Sequence, residues 1–185
     1  MSVTRVLWFG LALLYPAIVY FGLQSGQWGP RQIGVLLLFM AAARLFLRGR
    51  QRPVDGWLIL LPLLVALPAL LFNQPIWVLL YPALVSALFL SVFALSLVRP
   101  PTAIETIARL RTPDLSATAV DYTRKVTQAW CFFFAGNGLI ALMTALFASH
   151  AVWALYNGAI SYGLMGLMFA GEWLIRRHVM AREAH

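Results

Sequence analysis

Three carboxylates in this sequence stand one helical turn before a cation: Glu105 before Arg109, Asp121 before Arg124 and Lys125, and Glu172 before Arg176. A convergent pair of such groups could work as acid and base in acyl or glycosyl transfer to a lipid. A lone carboxylate within an apolar run, as Glu172 is, could couple to protons. The same i,i+3 and i,i+4 spacings also describe ordinary ion pairs on a helix surface. Asn137, held between Gly136 and Gly138, is the other polar group inside an apolar stretch, where an amide usually bonds a neighbouring helix. Beyond these the chain offers little to chemistry. It has no Gly-rich phosphate loop, no HExxH and no GxSxG, and His150, His178 and His185 fall in a turn and at the C-terminal end. Cys131 is the only cysteine, which removes disulfides and cysteine metal clusters. The sequence therefore predicts no catalytic residue, no metal and no cofactor.

The elements that carry these residues are apolar. Of 185 residues, 62% are hydrophobic and 11% charged, with a mean hydropathy of +0.81, against about 45–50% and 25% in soluble domains. The expected fold is all-α: a polytopic membrane protein forming a single integral membrane domain over residues 1–185. Six stretches approach the roughly 20 apolar residues that a spanning helix needs: Val6 to Leu23, Arg31 to Leu47, Trp57 to Phe72, Ile76 to Val98, Thr127 to Phe147 and Val152 to Ile175. The second is interrupted by Arg44 and the third is short and holds Pro62 and Pro68, so five spans remain an alternative. The run after Arg5 lacks a small-residue cleavage site and reads as a retained first helix.

The basic residues set the orientation. Arg5 precedes helix one, and Arg44, Arg48, Arg50 and Arg52 lie between helices two and three. Arg99, Arg109, Arg111, Arg124 and Lys125 lie between four and five, and Arg176, Arg177 and Arg182 follow six. Of the 14 basic residues only Arg31 breaks the pattern. Six spans with both termini in the cytoplasm satisfy the positive-inside rule. The net charge of +8 is thereby explained without nucleic acid. Trp8, Trp28, Trp57, Trp77, Trp130, Trp153 and Trp173 all fall at helix ends, as an interfacial belt would place them. Leu13 to Val19 (LLYPAIV) and Leu79 to Val85 (LLYPALV) echo each other, as inverted repeats of transporters do, although chance in so apolar a chain also produces such pairs.

Residues 99–126 form the connector between residues 1–98, which hold helices one to four, and the helical hairpin of residues 127–178. Pro100 and Pro101 stop helix four, and Thr102 and Glu105 have capping-box spacing. The short helix that follows puts Ile104, Ile107 and Ala108 on one face, suiting either the inner leaflet or a solvated connector. From about Ala117 a helix runs into the bilayer. Glu105, Arg109, Asp121, Arg124 and Lys125 then form a cytoplasmic collar that could meet partners or lipid headgroups. In helix six Ala159, Gly163, Gly166 and Ala170 make a small-residue face that permits close helix packing, within the chain or in a homo-oligomer.

From Thr123 to Phe133 (TRKVTQAWCFF), with Gly136-Asn137, Val152-Trp153, Tyr156-Asn157 and the closing Ile175-Arg176-Arg177-His178, the chain resembles the intracellular septation protein A family of bacterial inner-membrane proteins. Arg99-Pro100 and the basic connector fit as well, so the likeness covers Arg99 to His178, while the first half matches in hydropathy alone. The TRKVT and GNG elements look closer to a sister group of membrane proteins whose genes accompany aryl polyene, xanthomonadin-type lipid synthesis. The resemblance implies an inner-membrane envelope protein with membrane lipids and other envelope proteins as partners. A non-catalytic scaffold or lipid-handling accessory leads the functional readings. A small transporter or flippase is the alternative, and a membrane-embedded acyl or glycosyl transferase component comes third.

Overall fold

A computed structural model describes residues 3–26, 28–46 and 54–183, with side chains described over 14–26, 28–43 and 60–177. Those residues form helices and turns, with no strand among them. In chain order the helices are α1 (Val3–Ser25), α2 (Pro30–Phe46), α3 (Val54–Phe72), α4 (Pro75–Leu79), α5 (Tyr81–Val98), α6 (Ala103–Arg109), α7 (Ala117–Phe147), α8 (His150–Leu155) and α9 (Ser161–Glu183), with a π-helical turn at Tyr156–Ile160 between the last two. Three helical stretches are long and apolar enough to cross a membrane: Pro75–Val98, Ala117–Phe147 and His150–Arg177. Two shorter apolar ones, Pro30–Ala43 and Leu60–Phe72, lie within α2 and α3. Large apolar side chains on these helices point outward, including Phe132, Phe147, Phe39 and Leu167. Water would penalise that surface heavily, whereas lipid would not. The chain has the build of a membrane protein.

The side chains of Arg5, Trp8, Arg44, Trp57, His178 and Arg182, and all of Arg48, Arg50, Arg52 and His185, lie outside the described residues. Arg31, the one cation that breaks the alternation, has structural work: its Nε donates to the Leu70 carbonyl at 3.1 Å, one of the last carbonyls of α3. Helix C-termini leave such carbonyls without intrahelical donors. α3 then ends on Asn73 in the left-handed region (φ 52), whose N–H returns to the Ala69 carbonyl at 3.0 Å.

The chain packs as two compact units, residues 1–85 with 139–159 and residues 86–138 with 160–185. In the first, α2 and α3 lie closely side by side. Gly34 permits this, because a Cβ there would stand 3.2 Å from the Ala66 carbonyl oxygen and 3.4 Å from Ala69 Cβ. Ile33, Leu37, Val65, Ala66 and Ala69 fill the contact.

Proline explains the rest of that core. Pro82 has no N–H to give the Val78 carbonyl and its ring crowds the preceding turn, so the span expected from Ile76 to Val98 is divided at Leu80 into α4 and α5. Two carbonyls are freed, and both find side-chain donors. Tyr15 Oη on α1 donates to Val78 O at 2.7 Å, and Trp153 Nε1 on α8 donates to Leu79 O at 2.9 Å. The rings of Tyr15 and Tyr81, one from each Leu-Leu-Tyr-Pro stretch, lie 4.6 Å apart. Trp153 is fully buried in this core, which removes it from the interfacial belt.

In the second unit the core is aromatic. Trp130 sits among Phe93, Phe133, Phe134 and Phe169, the last with ring centroids 4.8 Å away. Trp130 is likewise buried and does not belong to the belt, whereas Trp28 and Trp173 are about half exposed, as interfacial side chains are.

Candidate functional site

The connector is built by short-range chemistry first. Thr102 caps α6: its Oγ1 accepts from the Glu105 N–H at 3.3 Å, and Glu105 Oε2 accepts from the Thr102 N–H at 3.3 Å, completing a capping box. Glu105 Oε1 also accepts from Arg109 Nε at 2.9 Å and Nη2 at 2.7 Å, while Arg109 Nη1 donates to the Pro113 carbonyl at 2.8 Å. Three N–H groups of the Arg109 guanidinium thus close the connector on itself, while the side chain keeps 40% of its surface exposed. Its bonds to Glu105 hold that carboxyl below its ordinary range, with the Thr102 N–H adding to the effect and burial opposing it.

Two bonds then pin α6 to its neighbours. The Ala103 N–H donates to Ser96 Oγ on α5 at 2.9 Å, and the Ile104 N–H donates to Thr127 Oγ1 on α7 at 3.4 Å. Glu105 is 5% exposed, so the carboxylate faces inward, and of the three residues that share the apolar face Ile107 is 58% exposed while Ile104 and Ala108 are half-buried. Thr102 and Thr127, whose hydroxyls bond the first turn of α6, are both buried.

The collar residues therefore divide. Glu105 and Arg109 form one closed unit. Asp121 and Lys125 form a second pair at 2.7 Å on the exposed base of α7. Arg124 is exposed on the same helix, with no ion pair among the described residues. Glu172 pairs with Arg176 at 3.6 Å, and the Tyr122 hydroxyl donates to its carbonyl at 3.2 Å, which fixes Glu172 level with the polar base of α7. A carboxylate at that level, one turn before Arg176, is an ordinary i,i+4 ion pair within α9. Arg177 caps the arrangement, its guanidinium 4.7 Å over the Trp173 ring.

Asn137 is buried, and its Nδ2 donates to Ser86 Oγ on α5 at 3.1 Å, so α5 is a partner helix for the amide. Membrane amide–hydroxyl pairs of this kind contribute about 0.6 kcal/mol on average. Ser86→Ala and Asn137→Ala should each destabilise the protein in detergent unfolding. A double-mutant cycle should return a coupling energy of about that size, and strict additivity would show that the bond contributes nothing.

The polar residue that sequence reasoning passed over is Asn157. Its Nδ2 donates to the Trp153 carbonyl at 2.9 Å and to Thr144 Oγ1 at 3.3 Å. The first bond takes the carbonyl that the Asn157 backbone N–H would use in an α-helix, which accounts for the π-turn at that point. Its signal in the sequence was a lone amide beside Gly158, and Gly158 approaches Pro16 of α1, where a Cβ would stand 3.4 Å from the proline Cβ. Ala159, Gly163, Gly166 and Ala170 are all exposed, and a Cβ on either glycine would meet nothing within 4 Å. Among the described residues, nothing packs closely on the small-residue face.

No group of three His, Cys, Asp or Glu side chains able to hold a metal occurs among the described residues. An open cavity of about 460 Å³ is lined by Tyr20, Gln24, Ala148, Ser149, His150 and Ala151, and none of the carboxylates reaches it. The arrangement holds helices and connector in place and, among the described residues, pairs each of Glu105, Asp121 and Glu172 with a cation on its own helix. Compared with known proteins, the chain matches no family model, no curated protein and no solved structure.

Proposed function

We propose that this chain is a six-span protein of the bacterial inner membrane, both termini cytoplasmic, acting as a non-catalytic scaffold or lipid-handling accessory in cell-envelope assembly. The observation that carries this reading is where the polar side chains go. Tyr15, Trp153 and Asn137 bond other helices and Glu105 with Arg109 closes the connector, so these groups hold the framework together. The alternation of basic residues and the likeness of Arg99 to His178 to the septation protein A family support the membrane and the orientation. The exposed base of α7, with Arg124 and Lys125, is the surface for an envelope partner.

Arg109 is a poor probe of that surface because it is occupied internally. The test is Arg124→Glu with Lys125→Glu, read by in-cell photocrosslinking from position 128. Partner adducts should fall by about an order of magnitude or more, each cation contributing on the order of 1 kcal/mol to an anionic surface, while the protein still inserts. Unchanged adducts in the doubly reversed protein would overturn the proposal. A small transporter or flippase is the second reading, favoured by the contact between the two Tyr-Pro tyrosines, Tyr15 and Tyr81.

A further inference from the structure

The connector helix turns its carboxylate inward and leaves apolar side chains exposed at its C-terminal end. Ile107 and Leu110 are 58% and 82% exposed, and the exposed Arg111 follows Leu110 in the turn that closes α6. Ile104 and Ala108 are half-buried. The anchors at Ser96 and Thr127 fix the rotation of α6, so this exposed end is set by the fold and does not depend on a chance side-chain placement.

The same anchors give its depth. Ser96 and Thr127 both bond the first turn of α6, so they lie at one level of α5 and α7. Arg99 is three residues beyond Ser96 and Arg124 three residues before Thr127, which places both cations about 4.5 Å outside that level at 1.5 Å per residue. The apolar edge of α6 thus starts near the boundary where the spans give way to cations. Arg99 and Arg111 are exposed with no ion pair among the described residues, and Asp114 is the one exposed acid beside Arg111.

We propose that the Ile107–Leu110–Arg111 edge docks on the inner leaflet and recognises anionic phospholipid, the two apolar side chains entering the acyl boundary and Arg111 taking a headgroup phosphate. This rests on the membrane reading above but uses a surface separate from the partner-facing base of α7. The exposed Ile107 and Leu110, at the level where the spans give way to cations, argue for lipid as the occupant, and the unpaired cations argue for an anionic one.

The experiment uses the full chain with Cys131→Ala and Leu110→Cys, labelled with an environment-sensitive fluorophore and reconstituted in nanodiscs. One set contains phosphatidylcholine alone and the other an equimolar mixture with phosphatidylglycerol. In the mixture the label should shift to the blue and be quenched by nitroxide-labelled lipid, and iodide in the water should reach it poorly. Arg111→Gln should weaken the preference for the mixture about fivefold, while Arg111→Lys, which keeps the charge, should leave it unchanged. Equal quenching in the two lipids overturns the anionic recognition. Iodide quenching in both, or shielding from both quenchers, overturns the docking itself. A control label at Leu139→Cys, exposed on α7, separates this failure from the larger one: if lipid does not quench that position either, the membrane reading falls.

Discussion

Trp153→Ala should be the most damaging single substitution in the described core, lowering stability in detergent unfolding by about 3–5 kcal/mol. Two losses combine. The indole is fully buried against α1 and α4, and its removal leaves a cavity that those helices cannot fill without moving. Its Nε1 is also the donor to Leu79 O, a carbonyl exposed by the break before Pro82. Trp153→Phe separates the two in part, because it keeps a six-membered ring in the core and deletes the N–H together with the rest of the indole's second ring. That variant should cost about 1–3 kcal/mol, the penalty for leaving one buried carbonyl unsatisfied. Such a carbonyl has no water to turn to at membrane depth. If Trp153→Phe unfolds with the parent protein, the account of how the chain tolerates Pro82 is wrong.

That bond also marks the limit of what the sequence could say. The three long apolar stretches, Pro75–Val98, Ala117–Phe147 and His150–Arg177, were legible because hydropathy over about 20 residues is a strong signal, and α7 runs unbroken from Ala117 as its pattern required. The capping box was legible because Thr102 and Glu105 are three residues apart and no tertiary contact is needed to form it. Which side of an apolar helix faces protein was not legible, since lipid and protein neighbours ask for the same residue types. Trp153 and Trp130 therefore read as belt residues when they are core, and Asn137 gave no sign that Ser86, 51 positions away, would be its partner. The two Tyr-Pro pairs read as a weak echo, and only the fold places their rings together. The rotation of α6 was hidden for a related reason: its spacing put Ile104, Ile107 and Ala108 on one face and left open what that face meets, and the bonds to Ser96 and Thr127 override any preference of its own.

Glu105 is where that override can be measured. Glu105→Ala removes the reciprocal half of the capping box, at about 1 kcal/mol, and the partner of a half-exposed arginine, at about 1 kcal/mol more. The connector should then open about thirtyfold more often, read as faster hydrogen exchange at the Thr106 amide and faster proteolysis near Pro113, while the spans unfold as before. Glu105→Gln keeps an acceptor for the Thr102 N–H and should lose about half as much. The pH dependence has a definite sign. Because Arg109 holds the Glu105 carboxyl below its ordinary value, its contribution is complete above the ordinary carboxylate range and is lost as pH falls through the lowered one. The parent connector should therefore stay closed at neutral pH and loosen only in strong acid, whereas in Glu105→Ala that acid-dependent step should vanish. If acid loosening persists at full size in Glu105→Ala, some other carboxylate holds α6. The inward turn of Glu105 would then be a consequence of the anchors at Ser96 and Thr127, contributing nothing of its own to the closed connector.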